Sequence, residues 1–184
     1  MSISYIENLF SETELANINQ MIDDSKMNVD DERLGRTLIL ELNFPENIRQ
    51  KITKICGDIL GTEVFFTHGA YAEYNNIYGN PNLPPHFDGD NNILFVDYQL
   101  ESNTSWDLGI DVKSYPLQDN SALIFDTNKH VHWRPRKNFK DGEYVKMLFF
   151  RVCDLKNPVD NSHLNYSQDH HIFEEARKFR DSLS

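Results

Sequence analysis

The chain has 184 residues and a formal net charge of −11, with 39% hydrophobic and 26% charged residues. That length and balance suit one folded domain with a real core, not a disordered chain. The acidic charge argues against a nucleic-acid backbone or an anionic membrane as partner, and no apolar run is long enough to span a bilayer.

An aromatic share of 12% suits a sheet-rich core. The first residues, Met1 to Glu7, lack a basic segment followed by an apolar one, so no secretory signal is expected. Cys56 and Cys153 form no CxxC pair and read as two reduced thiols, which fits a cytoplasmic location.

Taken in order, Ser4 to Phe10 alternates and predicts a first strand. Ser11-Glu-Thr-Glu14 is a capping-box pattern, and Leu15, Ile18, Met21 and Ile22 follow at helical spacing to about Asp24. Residues 25–37 are polar and predict a loop, and Thr37 to Leu42 a short strand. Pro45 suits the start of a second helix whose apolar face is Ile48, Ile52, Ile55, Cys56 and Ile59, and Gly61 suits its end. From Val64 the period changes to that of strands, running through Ala70 to Tyr74. Asn75 to Pro85 is a loop rich in Asn, Gly and Pro. Ile93 to Leu100, Trp106 to Val112, Ala122 to Phe125 and Val145 to Val152 predict further strands, with Leu108, Ile110 and Val112 on one side. Ile172, Ala176, Phe179 and Arg180 predict a closing helix from about Ser167. Short strands between polar turns predict a sandwich or barrel.

One stretch carries chemistry. In Leu83-Pro-Pro-His86-Phe87-Asp88 an imidazole and a carboxylate stand two residues apart. On a strand or its end such residues point to the same side, so both can reach one metal. A third ligand would complete a two-His, one-carboxylate face, the arrangement of non-haem Fe(II) oxygenases. The bland alternative is a surface turn after the double proline, with Asp88 and Gly89 as turn residues. Asp90 is a rival carboxylate that breaks the i, i+2 relation. A second cluster, His130-Val131-His132-Trp133-Arg134, offers the third ligand; on a strand both of its histidines would face one side.

Residues from about Tyr71 to Val152 resemble the double-stranded β-helix (jelly-roll) core of the 2-oxoglutarate- and Fe(II)-dependent dioxygenases, and within them the prolyl-4-hydroxylase-like branch. The likeness rests on His86-Phe87-Asp88 after a strand and on Leu123-Ile124-Phe125 followed by a short turn and His132. The Tyr5-Ile-Glu-Asn-Leu-Phe-Ser-Glu-Thr-Glu-Leu pattern also resembles the way this branch opens with a strand and a helix. The resemblance implies a mainly β fold with flanking helices (α+β): a jelly-roll, cupin-like core packed on N-terminal helices. The chain would be one dioxygenase domain, with strand and helices over 1–62, core over about 63–153 and a helical tail over 154–184.

The resemblance further implies that His86, Asp88 and His132 hold Fe(II), that 2-oxoglutarate and O2 are co-substrates, and that succinate and CO2 are released as a peptide residue, amino acid or other small molecule is hydroxylated. His130 would then lie beside the site. Halogenases of this fold replace the carboxylate by a small residue, so Asp88 favours hydroxylation. The family's Gly-x-Arg-x-Ser signature is replaced by Gly142-Glu-Tyr-Val-Lys146-Met-Leu. Among Arg134, Arg136, Lys146 and Arg151, position early in the last strand favours Lys146 for the far carboxylate of 2-oxoglutarate. Arg151 falls on the opposite strand face and is the second candidate. Of Tyr71, Tyr74 and Tyr78, position favours Tyr74 as a hydrogen-bond donor to that carboxylate. His68 reads as structural, and His170 and His171 as helix-surface residues. Two other classes fit: a cupin-like metalloprotein with non-oxygenase chemistry, and a non-catalytic jelly-roll binding module. Oligomeric state is not legible in the sequence.

Overall fold

Strand β6 (Leu94–Ser102) is buried along most of its length. Leu94, Val96, Tyr98 and Leu100 meet one layer, while Phe95, Asp97 and Gln99 point the other way and are also buried. A strand covered on both faces is the centre of a layered fold, and the rest of the chain supplies the two covers. The computed structural model describes residues 3–25, 29–40, 42–88, 94–154 and 171–183.

Among these are β1 (Ser4–Ile6), α1 (Glu12–Asp23), β2 (Val29–Asp31), β3 (Arg36–Ile39), α2 (Glu46–Leu60), β4 (Val64–Tyr74) and β5 (Leu83–His86) before β6. After it come β7 (Leu108–Ile110), β8 (Lys113–Tyr115), β9 (Ser121–Phe125), β10 (His132–Arg134), β11 (Val145–Asp154) and α3 (His171–Asp181). The strands form two antiparallel sheets, ordered β1-β9-β6-β11-β4-β3-β2 and β5-β10-β7-β8. The fold is the mainly β sandwich with flanking helices that the sequence predicts.

The helices begin and end where local chemistry directs. Ser11 caps α1 by accepting from the Glu14 N–H, and the Glu14 carboxylate accepts from the Ser11 N–H, closing the capping box. Pro45 is the cap residue of α2 and Glu46 its first helical residue; Gly61 ends it in the left-handed region at φ 68°. Ile18, Ile48, Ile52 and Cys56 bury against Tyr71, Val96, Tyr98, Leu148, Phe150 and Val152 on the outer face of the large sheet. Fully burying side chains of this size is worth about 1.5–3 kcal/mol each. α3 covers the outer face of the small sheet, where Phe173 and Ala176 meet Val131 and Trp133. No helix among the described residues is long and apolar enough to cross a membrane.

Three local expectations change. The loop expected over 25–37 contains a β2–β3 hairpin, with Val29 opposite Leu38 and Asp31 opposite Arg36. β2 is an edge strand, so it needs no apolar alternation; Asp30 accepts from the Tyr78 hydroxyl and Asp31 takes the Arg36 guanidinium at 2.9 Å. β1 stops at Ile6, and Asn8 turns the chain at φ 52° so that Leu9 and Phe10 enter the core. The strand expected to Val112 ends at Ile110, because Asp111 takes φ 53° and leaves Val112 41% exposed. The chain returns as the short β8. The start expected for the last helix lies outside the described residues; Phe173 packs with Ala176 in its buried stripe.

β10 is seated by close approach. A Cβ at Gly109 would lie 2.1 Å from Cε2 of Trp133. Gly109→Ala should therefore cost about 1–3 kcal/mol of stability by overpacking. Urea denaturation checks this, and an unchanged midpoint would contradict the packing described.

Candidate metal centre

β5 and β10 are far apart in sequence, yet they pair antiparallel with His86 opposite His132. The two imidazole centroids lie 4.0 Å apart. Phe87 turns away to meet Phe173 of α3, and Asp88 comes back to the histidine side. Asp88 Oδ1 is 3.5 Å from Nε2 of His86 and 3.5 Å from Nε2 of His132. The three residues offer ligand atoms all within 4.8 Å of one another, spacing that admits one metal ion.

Second contacts orient this set. The His86 Nδ1–H donates to the Pro84 carbonyl at 2.8 Å, which leaves the Nε2 lone pair pointing at the cluster. His132 packs among the rings of Phe95 and Phe125. Burial first, then the nearby His86, lowers its pKa to about 3, so the imidazole is neutral as a metal ligand requires. Burial alone would raise the Asp88 carboxyl. The contacts with His86 and His132 and the Arg151 charge outweigh that and hold it below the usual carboxylate range. Asp88 Oδ2 is buried and accepts no hydrogen bond among the described residues, although an Arg151 guanidinium nitrogen lies 3.6 Å away. A buried carboxylate oxygen left that way fits a further electrophile at the site. The donor set of two neutral imidazoles and one carboxylate suits Fe(II) on one face.

His130 is drawn elsewhere. Asp126 accepts from the backbone N–H groups of Lys129 and His130, and its side chain from that of Asn128, which bends the chain between β9 and β10. His130 Nδ1 then lies 2.7 Å from Asp111 Oδ2, and the strand parity that would align it with His132 is lost. His68 lines the cavity described next. Asp90 and His170 lie outside the described residues, as does the side chain of His171.

The cluster opens into a cavity of about 260 Å³ between the sheets. Arg33, Arg36, Arg134 and Arg151 line it, with Tyr74, Phe95, Asp97 and Phe149. Arg134 is fully buried, pairs with Asp97 at 2.9 Å and donates to the Trp106 carbonyl at 2.7 Å. It therefore ties the small sheet to β6 instead of facing a ligand. Burial pushes the Asp97 carboxyl up, and Arg134 opposes that. Arg36 donates to the Tyr74 hydroxyl oxygen at 2.9 Å, with Tyr74 only 1% exposed.

Lys146 is placed on the opposite face of β11 from Arg151. Leu148, Phe150 and Val152 face the helices with it, while Val145, Met147 and Phe149 face inward with Arg151. The ammonium pairs with Glu101 at 2.9 Å, and Lys146 does not line the metal cavity. Alternation, not position along the strand, decides which basic residue reaches the interior. Tyr71 also faces the helices, donating to Glu73, and Tyr78 donates to Asp30. Arg33 and Arg36 were missed because a polar edge hairpin reads as a loop; the one available signal was Arg36-Thr37-Leu38-Ile39, a cation at the head of an apolar run.

No family model and no curated protein matches the chain. Solved structures do. A 2OG-Fe(II) oxygenase family oxidoreductase from Burkholderia pseudomallei is similar at TM-score 0.62 and 13% identity, over 82% of this chain and 84% of that one. HygX from Streptomyces hygroscopicus, with nickel and 2-oxoglutarate bound, is similar at TM-score 0.64 and 9% identity, over 83% of each chain. The viral collagen prolyl hydroxylase of Paramecium Bursaria Chlorella virus-1 is similar at TM-score 0.57 and 13% identity, over 84% of this chain and 90% of that one. The chain has the fold of the 2-oxoglutarate oxygenases.

The metal-free protein should lose stability as pH falls. A histidine whose folded pKa is about 3 against an ordinary 6.5 binds its proton in the unfolded state first. Stability is therefore full above about pH 6.5 and falls below it, by at most about 1.4 kcal/mol per pH unit from this group. Asp88, held low, adds loss only at still lower pH. Urea denaturation from pH 7 to 4 should show a shallower slope for His132→Asn than for wild type; equal slopes would contradict the burial assigned to His132.

Proposed function

We propose that the chain is an Fe(II)- and 2-oxoglutarate-dependent oxygenase that hydroxylates a small molecule or a peptide residue. The observation that carries this reading is the convergence of His86, Asp88 and His132 beside an arginine-lined cavity, on the fold described. When bound, Fe(II) would supply, with 2-oxoglutarate and O2 as co-substrates, an oxidant for a C–H bond, with succinate and CO2 as by-products.

The chain's own residues do the rest. His86 and His132 would hold the metal through their neutral imidazoles, and Asp88 would supply the charged ligand. Arg151, facing Asp88 Oδ2, steadies that carboxylate. The far carboxylate of 2-oxoglutarate needs a cation, because a buried carboxylate without one is strongly disfavoured. Arg36 and Tyr74 meet this need together. The Tyr74 oxygen already accepts from Arg36, so its own O–H proton remains to be donated to an anion, beside the guanidinium charge. Phe95 and Phe149, stacked on one another, give the cavity an apolar wall. The fold itself leaves the substrate open, since similar structures include HygX with hygromycin B bound and a prolyl hydroxylase with a peptide fragment.

Iron-dependent formation of succinate from 2-oxoglutarate tests the reading. Wild type should form succinate slowly even without its primary substrate, and the His86→Ala, His132→Ala double variant should form none. Equal signal in both would sink it. Arg36→Gln should raise the 2-oxoglutarate concentration for half-maximal rate about 10–100-fold. Lys146→Ala should leave it near the wild-type value; the reverse pattern would move the anchor from Arg36 to Lys146.

A further inference from the structure

The chemistry proposed above makes no use of Arg33. It sits in the β2–β3 turn, is exposed, and lines the metal cavity. Arg134 is engaged by Asp97, Arg36 by Asp31 and Tyr74, and Arg151 faces Asp88. Arg33 has no hydrogen-bond or ion-pair partner among the described residues.

Its turn is nonetheless held in place. Leu34 N–H donates to the Asp31 carbonyl, and Gly35 N–H to that of Glu32. Gly35 takes φ +66°, and a Cβ there would come within 2.9 Å of Pro81 Cα, so the turn abuts the loop leading to β5. The Tyr78 hydroxyl donates to Asp30 from the same side. A fixed turn thus sets a cation on a cavity wall, in a chain of net charge −11. An anion in the cavity would find a cation within reach, rooted on a fixed turn. Beside Arg33 the wall is apolar: Leu34 lines the cavity, and so does Leu40, 49% exposed. The space is about 260 Å³, just below the roughly 300–1,000 Å³ of pockets that take drug-sized ligands, and in the reading above 2-oxoglutarate shares it. A small substrate suits it.

We propose that Arg33 selects the primary substrate, a small carboxylic acid with an apolar body. Its carboxylate lies on the Arg33 guanidinium, its body against Leu34 and Leu40, and a C–H bond of that body faces the metal. Arg33 is a specificity residue, separate from the Arg36 and Tyr74 anchor for 2-oxoglutarate. The inference rests on the oxygenase reading.

The test is anaerobic calorimetry on the full chain loaded with Fe(II) and 2-oxoglutarate. The probes are matched acids and amides: hexanoate and hexanamide, phenylacetate and phenylacetamide, N-acetyl-leucine and its amide. At least one acid should bind about ten-fold more tightly than its amide, as expected for a charge-assisted contact. Arg33→Gln should remove that preference while changing 2-oxoglutarate affinity by less than about two-fold, as expected of independent sites. Titration of 2-oxoglutarate is done first and separates the two failures. No 2-oxoglutarate uptake overturns the oxygenase reading and this inference with it. Uptake with no acid binding better than its amide, or a preference that survives Arg33→Gln, overturns the Arg33 assignment alone.

Discussion

The site depends on one pairing: β5 against β10, with His86 opposite His132. Neither strand is long, and each by itself carries too little backbone pairing to hold a ligand still. Their register is set from outside. Trp133 fits over Gly109 and donates to the Asp111 carbonyl, Arg134 crosses to Asp97 of the large sheet, and Arg180 of α3 donates to the Arg134 carbonyl. A slip of one residue would turn His132 toward α3 and bring Trp133 inward. The ligand geometry is therefore a consequence of the sandwich packing, and Asp88 follows from the two-residue repeat after His86.

The same sandwich sorts charge. The outside is acidic, while the space between the sheets gathers four arginines. Three of them answer to carboxylates of the protein itself, Asp97 for Arg134, Asp88 for Arg151 and Asp31 for Arg36. Removing Asp97 would leave a buried guanidinium uncompensated, which generally costs about 3–5 kcal/mol. Arg36 and Arg33 arrive on the edge hairpin. Arg134 thereby takes a structural task, while Arg36, held by Asp31 and Tyr74, and Arg33 present their charge to the cavity. This division also explains how an acidic protein can offer an attractive interior to a dicarboxylate.

Much of this was legible in the sequence, for physical reasons. The helices announce themselves through Ser11, Glu14, Pro45 and Gly61 and through apolar residues at helical spacing. His86 and Asp88 are legible because a two-residue repeat is local. What was not legible depends on contacts between distant segments. The β2–β3 hairpin is polar, and its side chains find partners such as Tyr78 and Tyr74 only after folding. His130 and His132 look equivalent until Asp111, nineteen residues before His130, captures one of them. Lys146 and Arg151 both lie on a strand with two apolar faces, so alternation separates them without saying which face is inward. The helices decide that by covering Leu148, Phe150 and Val152.

The most direct test of the account is anaerobic titration of 2-oxoglutarate into the protein with and without Fe(II), followed by calorimetry. The account predicts one molecule bound per chain, only when the metal is present, and no metal-dependent binding in His132→Ala. Binding that is equally strong without metal, or that survives His132→Ala unchanged, would contradict the claim that His86, Asp88 and His132 form one centre serving that cavity.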